Sequence, residues 1–361
     1  MKNNLAFTFF ILFILLQTSC QYDPTKILFQ PNEITVNEVI YAEVKASNPL
    51  AIHAKEFGID VDGINNMINT KLGNIELTAQ IFNPPSPSIG QKKVVIIFHG
   101  GAFLPGMGNK GDFNIQSTCM YFAQRGVTAV AAEYRLMNIL TPSFYKAGYV
   151  ATQDGKAIVR YIANHSADYN INPEEIFLMG YSAGAVTALH TGFLETQENI
   201  DGRNRKLSEM YGHLDAVGEQ AVTPFNIRGI INIAGGVFDT AILNNDIPVL
   251  SCHGDQDEII PLICDFPFKE NSVIYNKMLK KGQSLFSGLS KMDHLLEEAK
   301  VFKICGSKEI DKYIASVHGP KNSELEIISG AKHSFMFSQN GLLTQVGQKI
   351  MDDLVIFVKT K

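Results

Sequence analysis

Three short segments hold the residue types that nucleophilic catalysis requires. Gly180-Tyr181-Ser182-Ala183-Gly184 follows the apolar run Ile176-Phe177-Leu178-Met179 and opens a helix-forming stretch. A serine between two glycines at a strand-to-helix turn is the nucleophile-elbow pattern. The sharp turn lifts Oγ above the sheet, and the glycines leave room where the backbone is crowded. A serine hydroxyl is a weak nucleophile at neutral pH. It needs a general base, and the base needs an acid to orient it. His253-Gly254-Asp255-Gln256-Asp257-Glu258 follows one short apolar run, and Gly330-Ala331-Lys332-His333-Ser334-Phe335 follows another. Both lie beyond the carboxyl ends of expected strands, where the sites of open α/β sheets gather. His333 is therefore the expected base and Asp257 the expected orienting acid. Asp255 and Glu258 are close enough to compete, because acidic loops also serve turn chemistry. His294 and His318 are rival bases, but neither directly follows an expected strand. His253 is expected to be structural.

A second glycine-rich segment, His99-Gly100-Gly101-Ala102-Phe103, comes directly after the run Val94 to Phe98. Small residues there let backbone N–H groups approach a substrate carbonyl and meet the charge that develops on its oxygen.

The elements that must position these segments show in the hydrophobic pattern. Ile75 to Phe82 alternates as a strand and stops at Pro84-Pro85. Lys93 to Phe98 and Val127 to Glu133 are continuous and rich in β-branched residues or alanine, as buried parallel strands are. Glu175 to Met179, Ile227 to Ala234, Pro248 to Ser251 and Glu324 to Ile328 read as further strands. Asn114 to Arg125, Asp154 to Asn164, Ala183 to Leu194 and Gln345 to Val358 carry helical spacing. Strand alternating with helix implies an α/β fold: a mostly parallel central sheet with helices on both faces. Residues 262–320 are the least regular part.

The Gly180–Gly184 elbow, the His99-Gly100-Gly101 loop, Glu133-Tyr134-Arg135, the His253-Gly254-x-x-Asp257-x-x-x-Pro261 loop and His333 together resemble the α/β-hydrolase superfamily. More narrowly, they are similar to bacterial carboxylesterases and lipases of the hormone-sensitive-lipase and type-B carboxylesterase groups. The resemblance runs from about Lys71 to the C-terminus. It implies the α/β-hydrolase fold and a serine esterase that needs no cofactor and no metal. Ser182 would attack a small-molecule or polymeric ester, His333 would take its proton and Asp257 would hold the imidazole. The N–H groups of Gly101, Ala102 and Ala183 would form the oxyanion hole. Phe103 and Tyr181, next to these loops, are expected to line the acyl pocket. Ala102 stands where the family usually has a third glycine, which the role tolerates because the donor is an N–H. A peptidase or amidase of the same fold, and a catalytically inactive binding protein, are the alternatives.

The front of the chain differs from the rest. Lys2 is followed by Leu5 to Leu16, apolar except for Thr8, and then by Gln17-Thr18-Ser19-Cys20. Twelve helical residues span about 18 Å, too short for a bilayer core of roughly 30 Å. The pattern is that of an export signal over 1–19. Its ending resembles a bacterial lipoprotein signal, with Cys20 as the lipidation site. The expected location is the periplasm or outer cell surface, with membrane attachment through Cys20. Residues 20–70 read as a tether and early strands, and 71–361 as the catalytic domain. The whole chain of 361 residues has 31 Lys+Arg against 36 Asp+Glu and 45% hydrophobic residues. Such a mildly acidic, folded composition argues against nucleic-acid partners. The remaining cysteines, Cys119, Cys252, Cys264 and Cys305, allow three full pairings, and spacing does not choose among them. Buried free thiols are the expectation for Cys119 and Cys252.

Overall fold

The apolar strands need cover on both faces, and the chain supplies it. The computed structural model describes residues 23–45, 74–87, 90–136, 143–194, 202–268, 303–338 and 340–361. The export signal with Cys20, and His294, lie outside the described residues. The strands are β1 (Thr35–Lys45), β2 (Asn74–Asn83), β3 (Lys92–Phe98), β4 (Thr128–Ala132), β5 (Ile171–Tyr181), β6 (Ile227–Ile233), β7 (Gly236–Val237), β8 (Val249–Gly254), β9 (Cys264–Asp265), β10 (Ile304–Gly306) and β11 (Ser323–Ile328). The helices are α1 (Phe113–Gln124), α2 (Phe144–Asn164), α3 (Ala183–Phe193), α4 (Gly202–Tyr211), α5 (Ser307–Val317) and α6 (Gln345–Thr360).

Eight strands form the main sheet in the order β1-β2-β4-β3-β5-β6-β8-β11. β1, β2 and β4 pair antiparallel; from β4 onward every pairing is parallel. β1 lies before residue 71, yet it forms the outer edge of this same sheet.

Side-chain alternation along the strands divides the core into two layers. Val94, Ile96 and Phe98 of β3 join one layer, with Ala151 and Ile158 of α2, Val186 and Leu189 of α3, and Ile310 and Ile314 of α5. Val95 and Ile97 join the other, with Ile115 and Phe122 of α1 and Ile350 and Leu354 of α6. Helices therefore cover both faces, as parallel strands buried on both sides demand.

The elements start and stop for local reasons. Ser143 caps α2, its hydroxyl accepting the Lys146 N–H at 3.3 Å. Thr344 caps α6, accepting the Gly347 N–H at 2.9 Å. Gly126, at φ +83°, ends the turn after α1. α2 begins ten residues before the helix its sequence spacing suggests. Residues 144–151 include three aromatics, a glycine and no stripe of polar positions, because most of α2 is buried. Gly148 is needed there: a Cβ would lie 2.5 Å from the Phe238 ring.

Within the irregular stretch 262–320 the structure contains β9, β10 and α5. β7, β10 and β9 form a small antiparallel sheet beside the main one. Cys264 and Cys305 face each other in it and are joined by a disulfide, while Cys119 and Cys252 are free and buried. Burial pushes both free thiols well above the ordinary cysteine range. Among the described residues, no helix is long and apolar enough to cross a membrane.

Candidate active site

Ser182 sits between β5 and α3 with φ +52° and ψ −117°. That conformation is costly for a residue with a side chain and is held only by its surroundings. Its N–H donates to Ile233 O at 2.9 Å, tying the elbow to β6. Crowding requires both motif glycines. A Cβ on Gly180 would lie 2.1 Å from the Gly184 backbone, and one on Gly184 would lie 2.2 Å from Phe98 O at the end of β3.

Two loops far apart in sequence reach Ser182 because β8 and β11 pair in parallel, with His253 opposite Ile327 and Gly254 opposite Ile328. The loops that follow these strands therefore run side by side. His333 Nε2 lies 2.8 Å from Ser182 Oγ, and His333 Nδ1 lies 2.7 Å from Asp257 Oδ2. Asp257 Oδ1 accepts the N–H groups of Ile259 at 2.8 Å and Ile260 at 3.0 Å. Burial by itself would raise the Asp257 carboxyl. Hydrogen bonds from His253 and His333 outweigh it and hold the group well below the usual carboxylate range. A carboxylate at Nδ1 keeps the proton on that nitrogen, so Nε2 is free to accept from the serine hydroxyl.

The three neighbouring acids are assigned to different tasks by geometry. Only Asp257 meets the imidazole of His333. Asp255 Oδ1 accepts the Gly330 N–H at 2.7 Å and so holds the turn that carries His333. Glu258 pairs with Lys332 at 3.1 Å. The rival His318 is spent elsewhere, its Nε2 lying 3.0 Å from Leu243 O.

The loop after β3 lies against the elbow: a Cβ on Gly100 would be 3.6 Å from Ser182 Cβ. Gly101, Ala102 and Phe103 all have positive φ, at +120°, +52° and +59°. This is a tight backbone turn, and Gly101 cannot be replaced without a clash at 2.9 Å with Met107. The N–H groups of Gly101, Ala102 and Ala183 have no hydrogen-bond acceptor among the described residues. The residues Glu133, Tyr134 and Arg135 support this loop. Tyr134 donates to His99 O at 2.6 Å and stacks on the His99 ring at 4.4 Å. Glu133 accepts the Lys110 N–H at 2.9 Å, and Arg135 is paired with the buried Asp154 of α2 at 2.8 Å.

An apolar pocket opens beside Ser182. Phe103, Phe144, Phe238, Ile260, Phe268 and Ile304 line it, with Ala102 and Ala183 at the serine end. Phe103 stands in its wall, next to Ala102. Tyr181 is not on this cavity. Alternation along β5 sends it to the opposite face with Phe177 and Met179, where its hydroxyl is 2.9 Å from Thr118 Oγ1 and its ring meets Phe337. A second pocket lies beyond Phe238 and is lined by Tyr145, Thr152, His190, Asn204 and Asp239. Most of these lining residues carry no motif. Only the fold assembles them. Among the described residues, no cluster of His, Cys, Asp and Glu could hold a metal ion.

Comparison with known proteins agrees with this architecture. Residues 80–236, from β2 through the elbow to β7, match the BD-FAE family model. The butyrate-bound esterase 2 of Thermogutta terrifontis superimposes with a TM-score of 0.50 at 16% identity, covering 92% of this chain and 98% of that one. The same esterase phosphoramylated by tabun gives a TM-score of 0.50 at 15% identity, covering 92% and 96%. A neuroligin-like protein, glit-1, of Caenorhabditis elegans is 24% identical over 145 residues, which is 40% of this chain. That match spans only 18% of the relative's own length. The sheet order, the elbow and the likeness to these solved structures show an α/β-hydrolase fold.

Proposed function

We propose that the protein is a serine esterase that hydrolyses carboxylic esters through an acyl-enzyme. The observation that supports this most strongly is the hydrogen-bonded array Ser182–His333–Asp257 at the mouth of an apolar cavity. Ser182 Oγ attacks the ester carbonyl while His333 Nε2 takes its proton. Asp257 holds the Nδ1–H and stabilises the imidazolium that forms. The N–H groups of Gly101, Ala102 and Ala183 receive the oxyanion. The tetrahedral intermediate collapses, and His333 returns the proton to the departing alcohol. Water, deprotonated by His333, then attacks the acyl-Ser182 bond. The acid leaves and the serine is restored.

The cavity favours an acyl group without polar substituents. A phenolic hydroxyl carried into it, as on a feruloyl group, finds no partner among the described lining residues and loses its hydration. Alkyl esters, or a cinnamate, fit its chemistry better. We also propose, on Lys2, the apolar run and Cys20, that the enzyme is exported and lipid-anchored. Labelling with radioactive palmitate tests that: label on the wild type and none on Cys20→Ala is expected, and an unlabelled wild type refutes the anchor.

The catalytic reading is tested with p-nitrophenyl butyrate. Ser182→Ala is expected to lower kcat by at least about 10³-fold. A variant that keeps a tenth of wild-type turnover rules Ser182 out as nucleophile.

A further inference from the structure

Asp257 has two imidazole partners, and the proposed triad uses one of them. His253 is fully buried, with its Nε2 3.0 Å from the same Asp257 Oδ2 that His333 meets. We propose that His253 is a positioning residue for the reaction, holding the Asp257 carboxylate in the orientation that serves His333. This rests on the esterase reading given above.

A buried hydrogen-bond chain behind His253 fixes the place of its ring. Asn232 Oδ1 is 3.0 Å from the Gly235 N–H, which can only donate, so the amide oxygen is on that side. The Asn232 amide nitrogen then faces Ser251 Oγ and Ser307 Oγ, each at 3.0 Å, and donates to both. Ser307 Oγ lies 2.7 Å from His253 Nδ1. At the other side of the ring, Nε2 faces two acceptors, Asp257 Oδ2 and Ile260 O, both at 3.0 Å. The ring therefore carries a hydrogen on Nε2.

The Nε2–H donor orients the Asp257 carboxylate. Oδ1 is held by two backbone N–H groups and Oδ2 by two imidazole N–H groups. With one donor removed from Oδ2, the carboxylate is free to turn about the bond that carries it, and His333 loses its fixed partner.

A double-mutant cycle with p-nitrophenyl butyrate tests this, each protein that keeps Ser182 being counted by fluorophosphonate titration so that only folded sites are compared, and Ser182→Ala by its absorbance. His253→Leu keeps the bulk and removes the donor. It is expected to lower kcat by roughly 10- to 100-fold with KM changed less than about twofold. His253→Gln places an amide N–H near the Nε2 position and should recover kcat to within about threefold of wild type. In an Asp257→Asn background the Leu substitution should cost less than about twofold more, because the residue acts through Asp257. Equal losses in the two backgrounds, or Gln no better than Leu, overturn the proposal. Where the Leu variant does not fold, Ser307→Ala removes the hydroxyl that holds the His253 ring in place. A roughly 3- to 10-fold kcat loss that vanishes in Asp257→Asn is then expected, and an additive loss refutes it. Ser182→Ala is run alongside. Turnover surviving there overturns the esterase reading and this proposal with it, whereas loss there with an additive cycle overturns this proposal alone.

Discussion

At the scale of single residues, three carboxylates within four positions perform three different tasks, and mutation should separate them. Asp257→Asn puts an amide where His333 needs an acceptor and favours the wrong tautomer. A kcat loss on the order of 10³-fold or more is expected. Asp255→Asn touches only the Gly330 turn and should cost less than about tenfold. Steady-state kinetics of both variants decides the matter, and a larger loss in Asp255→Asn would exchange their roles. Phe238 is the other residue whose place has a kinetic consequence. Its ring packs between Tyr145 at 5.0 Å and His190 at 4.9 Å and separates the apolar cavity from the second one. Phe238→Ala should join the two cavities and move the preferred p-nitrophenyl ester to longer acyl chains. An unchanged chain-length profile would show that Phe238 does not limit the pocket.

At the scale of elements, the small sheet does two things at once. β10 contributes Ile304 to the cavity wall, and α5 begins at Ser307, which holds His253. The Cys264–Cys305 disulfide fastens this sheet across a sequence separation of 41. In the chain-entropy account such a closure stabilises the fold by about 4 kcal/mol. Replacing both cysteines by serine should therefore lower Tm measurably and weaken kcat/KM through the loosened wall. Calorimetry of the variant checks the first effect, and an unchanged Tm would show that the sheet holds without the bond.

For the whole molecule, stability should depend on pH through a buried histidine outside the site. Burial lowers His190 of α3 from 6.5 to about 4, its Nδ1–H donating to Val186 O at 2.8 Å. The folded state thus binds the proton less readily than the unfolded chain. Its contribution is complete above pH 6.5 and is lost as pH falls from there toward about 4. The full swing is on the order of 3 kcal/mol. Below that range the depressed Asp257 carboxylate adds a second acid loss of the same sign. Thermal unfolding between pH 7 and 4 should show the decline, and His190→Gln should flatten it. An equally steep decline in that variant would assign the effect to other groups.

The amino-acid sequence determined what depends on a few consecutive residues. The elbow around Ser182 is a strand, a turn and a helix within a dozen positions, and its glycines are demanded by its own crowding. The His99-Gly100-Gly101 loop is equally local, and the apolar strands announced a doubly covered sheet because such strands have no polar face to spare. Tertiary structure decided what depends on register. The β8–β11 pairing brought Asp257, rather than its neighbours, to His333. Alternation along β5 put Tyr181 on the face away from the cavity, and the cavity wall was gathered from residues between 102 and 304. The buried chain from Asn232 through Ser307 and His253 to Asp257 joins β6, α5 and β8. Such contacts join residues far apart along the chain, and only folding sets the distances between them.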